Sequence, residues 1–259
     1  HTHGRTNHRR GFGSARGARS STSRGSKMPL TASPLSNLPG LRSDRIVFVQ
    51  LGANEGSPVH AACGDPIFDL AKRHSWSGFA VEPNPRVYPK LQRFYNFSQG
   101  RVRTLNIGVA DADGELTLYV PSGLTSEWVS AQRSHAHGKS TRRIRVPALS
   151  IETLWRRHVV PSVSHVDVLN TDLEGFDHVV LRATNFTALG ALRPRWILWE
   201  HSHTSAANQS ATNRHLAAHG YSYVKQAPCG RAGQRYMIDT LLEWTGPMTG
   251  QRVLSEIPR

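Results

Sequence analysis

The chain has 259 residues, 38% of them hydrophobic, and a formal net charge of +14. This is apolar material for one large domain, and the absence of any run of eighteen apolar residues excludes a helical membrane span. Half of the excess charge sits in residues 1–27, where Arg5, Arg9, Arg10, Arg16, Arg19, Arg24 and Lys27 stand without one acid, so the charge does not by itself make the rest of the chain a nucleic-acid binder.

That first segment is Gly, Ser, Arg and His throughout. It lacks the apolar surface needed to offset its chain entropy and is read as disordered. Three roles are open to it: contact with RNA or an acidic membrane surface, the remnant of an Arg- and Ser-rich transit segment, or an extension without a role, with Met28 as an alternative start. Residues 28–43, with Pro29, Pro34 and Pro39, read as linker. Residues 1–43 are therefore assigned to tail and linker, and 44–259 to one domain. Cys63 and Cys229 form neither a CxxC nor a zinc spacing and leave open a single disulfide. Sequons at Asn96, Asn185 and Asn208 are little more than chance supplies. The expectation is a soluble protein, cytoplasmic or organellar, of unspecified compartment.

From Arg45 the texture changes. "RIVFVQLG" is a continuous apolar run of strand length, as for a strand buried on both faces. It exits into "GANEG", whose Gly52 and Gly56 permit positive φ and close backbone approach. "DPIFDLAKRH" suits a helix entered at Asp65 with Pro66 at its first position. "WSGFAVEPNP" is a second strand ending on Glu82. "RVYPKLQRFYNF" places Val87, Tyr88, Leu91 and Tyr95 at helical spacing. "VRTLNIGVAD" is a third strand and its exit, and "GELTLYVP" alternates like an added strand. The basic segment 121–145, with Arg133, His135, His137, Lys139, Arg142, Arg143 and Arg145, is read as a mobile loop over the substrate side or a solvated insertion. "HVDVLNTDLEG" is a fourth strand, followed by the helix "FDHVVLRA". "RWILWEHS" is a fifth, "NRHLAAHG" a helical turn, and "YSYVKQ" with "RYMIDTLLEW" a closing pair of strands.

Strands alternating with helices predict an α/β fold with a mostly parallel sheet. Ligands of such sheets bind at the carboxyl ends of the strands. The side chains that matter are therefore those just past each strand: the loop Gly52–Gly56, Glu82, Asn106, Asp172 to Glu174, and Glu200 with His201. The loop is not GxGxxG, so a dinucleotide phosphate cradle is poorly supported, and with it a nicotinamide oxidoreductase. Glu82 is placed to accept two ribose hydroxyls. Asp172 could cap the helix expected near Glu174, or face substrate. His201 is a candidate for substrate contact. Asp172, Glu174 and Glu200 could together hold a divalent ion, though no metal is required.

The blocks "FVQLGANEG", "W.GFAVEPNP", "TLNIGVADADGELTLYV", "VPALSIETL", "VDVLNTDLEGFDHVVL" and "PRWILWEHS", in this order, resemble the FkbM-type S-adenosylmethionine-dependent methyltransferases over residues 45 to about 243. The combination GANEG, EPNP and D.EG carries the resemblance. It implies a Rossmann-like class I methyltransferase fold, with a mostly parallel seven-stranded sheet and helices on both faces, and S-adenosylmethionine as cofactor. It puts Gly52, Ala53, Asn54 and Gly56 at the methionine end, Glu82 and Asn84 at the ribose, Asn106 and Ile107 near the adenine, and Asp172 at the methyl-transfer centre, with His201 as a second catalytic candidate. Asn170 stands where many members carry a lysine. The expected reaction is O-methylation of a hydroxyl on a small molecule, sugar or glycan. The alternatives are an RNA methyltransferase or a nucleic-acid-binding protein using its basic tail, although no aromatic–basic RNA motif is present.

Overall fold

The computed structural model describes residues 35, 36, 38, 40–56, 65–121, 129–133, 141–229 and 237–246. The expectations for the basic tail, for Cys63 and its pairing, and for His135, His137 and Lys139 lie outside the described residues.

Five parallel strands come first from the sequence runs. β1 (Val47–Leu51), β2 (Ser77–Val81), β3 (Val102–Leu105), β7 (Val168–Thr171) and β8 (Trp196–Glu200) pair in parallel. β9 (Tyr221–Cys229) and β10 (Met237–Trp244) close the edge, β10 running antiparallel to both neighbours. The seven strands lie in the order β3-β2-β1-β7-β8-β10-β9. The order reverses beside β1, which opens a crevice at the carboxyl ends of β1 and β7.

Alternation along β1 explains the two-sided core. Val47, Val49 and Leu51 face one layer; Phe48 faces the other. The first layer takes α3 (Ile151–Leu154) with the wider helical turn Trp155–Val159, α4 (Asp177–Ala183) and α5 (Ala206–Ala218). The second takes α1 (Phe68–His74) and α2 (Tyr88–Tyr95) through Phe68, Leu70, Leu91 and Tyr95. Helices therefore cover both faces, as the strand–helix alternation predicts. Phe48 has no exposed surface, and burying such a side chain contributes roughly 1.5–3 kcal/mol. No helix among the described residues is long and apolar enough to cross a membrane.

The structure departs from the sequence reading in four places. Leu35 and Leu41 are fully buried in the second core layer, so the expected boundary at residue 43 falls beyond a packed segment. The presumed loop 121–145 contains part of a strand: β6 (Thr141–Leu149) pairs with β5 (Gly114–Pro121) and β4 (Gly108–Val109) in a second, three-stranded sheet. Arg143 and Arg145 alternate there with Ile144 and Val146, a period of two that the dense charge hid. α5 is longer than "NRHLAAHG", because Ser205 caps its start by accepting from the Asn208 N–H at 3.3 Å. Finally, the helix after β7 starts at Asp177, within one residue of the expected "FDHVVLRA" but three past Glu174, where a cap by Asp172 would have begun it.

Candidate functional site

The exit of β1 is bound to β2 and packed on β7. The Gly52 and Ala53 N–H groups both donate to the Val81 carbonyl, at 3.0 and 2.9 Å. Gly52 has φ 79°, and a Cβ there would collide with the Asp172 carbonyl oxygen. Glycine is therefore required at this position by the neighbouring strand's backbone as well as by its own dihedral. Asn54 follows, also left-handed at φ 48°, its Oδ1 accepting from the Glu55 N–H at 2.8 Å.

Glu82 ties this loop to the turn after β2. Its Oε2 accepts from the Asn54 N–H at 2.9 Å and its Oε1 from the Asn84 N–H at 2.7 Å. One acceptor site remains on each oxygen for another donor. Burial pushes its carboxyl up to about 7, against the pull of those two N–H groups. Asn106 latches the exit of β3 onto the same turn, its Nδ2 donating to the carbonyls of Glu82 at 2.8 Å and Pro83 at 3.2 Å.

An open cleft of about 600 Å³ lies above this framework. Its polar lining is Asn54, Glu82, Asp172 and Glu174, with Gly52; its apolar lining includes Val109, Leu116, Leu118, Val129, Leu173 and Phe176. The cleft thus gathers four of the expected site residues: Gly52, Asn54, Glu82 and Asp172. The others are not among its lining residues. Ala53 is buried in the core, Gly56 packs against Leu91 and Tyr95, Asn84 is fully buried with its Oδ1 accepting from the Arg86 N–H, and Ile107 packs against the first core layer.

The end of β7 is strongly acidic. Asp177, fully buried, accepts from the Leu173 N–H through both oxygens, at 3.2 and 3.0 Å. It closes this turn, whereas Asp172, for which a helix cap is one of two sequence readings, accepts from the Glu174 N–H. Burial and mutual repulsion push Asp172 and Asp177 up to about 7, Glu174 to about 9 and Glu200 to about 10. Asp239, opposite Glu200 in the β8–β10 register, is pushed by burial to about 7. No group of three His, Cys, Asp or Glu side chains among the described residues is arranged to hold a metal ion, the trio Asp172, Glu174 and Glu200 included.

His201 is not brought to the cleft. Strand alternation turns its ring onto Trp199, with centroids 5.1 Å apart and 3% exposure, and burial holds its imidazole below the ordinary value. His203 comes across instead, its Nε2 lying 3.7 Å from Glu174 Oε2. The sequence marks Glu174 by its place past the fourth strand and as a possible metal ligand, whereas it does not pick out His203 and the apolar wall from β5 as site residues. The available signal for the β5 wall is the alternation within "GELTLYVP"; none in "WILWEHSH" singles out His203 over His201, since the two stand two residues apart.

A cleft lined by three acidic side chains and several apolar ones, with no basic side chain among its described lining, suits a ligand that carries both a cationic and an apolar part. It does not suit a pyrophosphate. Together with the strand order, it defines a class I S-adenosylmethionine-dependent methyltransferase. The chain belongs to the FkbM family: the methyltransferase FkbM domain model matches residues 50–223.

Among solved structures the chain is similar to fibrillarin from Aeropyrum pernix with natively bound S-adenosylmethionine, at 13% identity and TM-score 0.46 over 82% of this chain and 73% of that one. It is also similar to the N-terminal domain of human METTL16 in complex with SAH, at 11% identity and TM-score 0.44 over 78% of this chain and 62% of that one. A third is precorrin-6y C5,15-methyltransferase from Geobacter metallireducens, at 10% identity and TM-score 0.41 over 79% of this chain and 81% of that one. No curated protein matches the chain.

Proposed function

We propose that the protein methylates a hydroxyl on a small molecule, sugar or glycan. Bound S-adenosylmethionine would supply an electrophilic methyl group on a sulfonium. Gly52, Ala53, Asn54 and Gly56 would form the loop at its methionine end. Glu82 would take the ribose hydroxyls on its two remaining acceptor sites, with Asn84 shaping that turn. Asn106 and Ile107 would border the adenine, beside the apolar wall of Val109, Leu116 and Phe176.

The observation that carries this reading is the spread of carboxylates along one cleft. Glu82, at the end of β2, and Asp172, at the end of β7, lie on either side of Gly52. Asp172 is assigned to the methyl-transfer centre. His201, the second candidate, is given no substrate contact, because its ring is shut against Trp199. Alignment of acceptor and methyl can supply roughly 7–11 kcal/mol. A hydroxyl must also give up its proton, and a placed base contributes about 10²–10⁴-fold. The carboxylates of Asp172 and Glu174 are those available at this end of the cleft.

One observation favours a second reading, an RNA acceptor. Arg143 and Arg145 are exposed on β6, opposite Tyr119 and Thr117 of β5, on the face of that sheet away from Leu116 and Leu118, which line the cleft. Labelled-methyl transfer from S-adenosylmethionine to methyl glycosides, oligosaccharides and short RNA, at two salt concentrations, separates the readings. Salt-sensitive labelling of RNA alone would overturn the hydroxyl-bearing small molecule or glycan.

A further inference from the structure

Asp172 and Glu174 stand together on the cleft wall but are held differently. The Asp172 carboxylate is engaged by the Glu174 N–H, and its carbonyl lies against Gly52. Glu174 projects from the middle of the turn with φ 52°, a left-handed conformation that a residue with a Cβ resists. That backbone is pinned from the far side. Ser130 Oγ donates to the Glu174 carbonyl at 2.8 Å, and Gln132 Nε2 donates to the Gly175 carbonyl at 3.0 Å. The turn after β8 brings His203 Nε2 to 3.7 Å from Glu174 Oε2, and the two side chains keep 26% and 22% exposure. A turn with no other task would be better served by glycine at this position. Strain held at a cleft wall, with an imidazole against the strained residue's carboxylate, points to use of that carboxylate.

We propose that Glu174 is the general base of the methyl transfer and that His203 is its positioning residue, an inference that rests on the hydroxyl-acceptor reading above. In the step, the acceptor oxygen forms a bond to the methyl carbon. The carbon–sulfur bond breaks with its electron pair passing to sulfur, and the acceptor's proton passes to the Glu174 carboxylate. His203 favours the charged form of that carboxylate through its Nε2. The groups around it act the other way. Burial leads, and Asp172 beyond β7, Asp177 at the head of α4, Glu82 beyond β2 and Glu200 on β8 repel its charge. His178, in the first turn of α4, is engaged with the Gly175 carbonyl through Nδ1 at 3.0 Å.

The first arm of the test needs neither cofactor nor acceptor. In protein carrying ¹³C-labelled glutamate, the Glu174 carboxyl resonance is assigned by its loss in Glu174→Gln, then titrated in the parent and in His203→Gln. The midpoint is expected to move up by about half a pH unit or more in His203→Gln, since a charge-favouring partner is lost. An unchanged midpoint overturns the pairing. The second arm compares the parent with Glu174→Gln and Glu174→Gly for labelled-methyl transfer to methyl glucoside. Where the parent leaves the glucoside unmethylated, water serves as acceptor and the release of S-adenosylhomocysteine is read. Both variants should be slower by about 10²-fold or more, with calorimetric affinity for S-adenosylhomocysteine within a few-fold of the parent. Glu174→Gly should melt no lower than the parent, because glycine relieves the left-handed strain. Parent-like transfer in either variant overturns the base. A parent that binds no S-adenosylhomocysteine overturns the methyltransferase reading of the cleft instead, while the titration still decides the pair.

Discussion

Gly52 and Asp172 meet backbone to backbone: the space a side chain at Gly52 would need is filled by the Asp172 carbonyl. The contact brings the exits of β1 and β7 together at the centre of the cleft. Gly52→Ala is therefore expected to do more than add the roughly 1–2 kcal/mol of left-handed strain, because the loop must also move off β7. The melting temperature should fall by at least about 2–4 °C for each kcal/mol lost, and affinity for S-adenosylhomocysteine should fall with it. A variant that melts and binds like the parent would show that the loop relocates freely.

Glu82 and Asp172 should separate binding from chemistry. Glu82→Ala removes an acceptor for the Asn54 and Asn84 N–H groups as well as for ribose. A hydrogen bond to a charged group is worth roughly 1.5–3 kcal/mol, so calorimetry should show ten- to a hundredfold weaker cofactor binding. Asp172→Asn should bind within a few-fold of the parent and turn over about 10²-fold more slowly, through lost alignment at the methyl-transfer centre rather than loss of the base. Parent-like turnover in Asp172→Asn would remove it from the methyl-transfer centre.

The acidic rim makes the ligand-free protein sensitive to alkali. Glu82, Asp172, Asp177 and Asp239 are raised to about 7, Glu174 to about 9 and Glu200 to about 10, chiefly by burial. An acid raised in the folded state holds its proton there after the unfolded chain has lost it. Its stabilisation is complete below the unfolded value and is lost as pH rises through the folded one. His158, His201 and His215, depressed mainly by burial, act oppositely, but only as pH falls through the ordinary imidazole range. Melting temperature should therefore fall as pH rises from about 5 to about 9, with Glu174 and Glu200 carrying the fall above pH 7. A cationic ligand should flatten that fall. A flat ligand-free profile would mean that the carboxylates are better solvated than their burial implies.

Leu35 and Leu41 make a prediction about truncation. Both are fully buried against a layer that includes Phe48 and Trp76. Emptying a buried leucine site typically costs about 2–5 kcal/mol. A chain starting at residue 35 should keep the parent melting temperature, whereas one starting at residue 42 should lose it markedly. Equal melting temperatures would show that this segment packs without stabilising the domain.

Much of this was legible from the residues in order. Apolar runs such as "RIVFVQLG", each followed by a helical period, specify a parallel α/β sheet, because burial on both faces leaves no polar alternation. In such a sheet Gly52, Glu82 and Asp172 are marked as site residues by falling just past strand ends. What sequence could not decide was which partner each side chain meets, since that depends on pairings between residues far apart in the chain. His201 and His203 stand two residues apart, a spacing that strand alternation would put on one face; the turn that follows β8 instead leaves His201 against Trp199 and carries His203 to Glu174. The arginines of β6 read as a loop until β5 supplies the strand opposite them. Asp177 rather than Asp172 closes the turn after β7 because its side chain, four residues on, reaches back to the Leu173 N–H. Leu35 and Leu41 look like linker residues until the second core layer covers them, for burial is a property of the neighbours a residue acquires on folding.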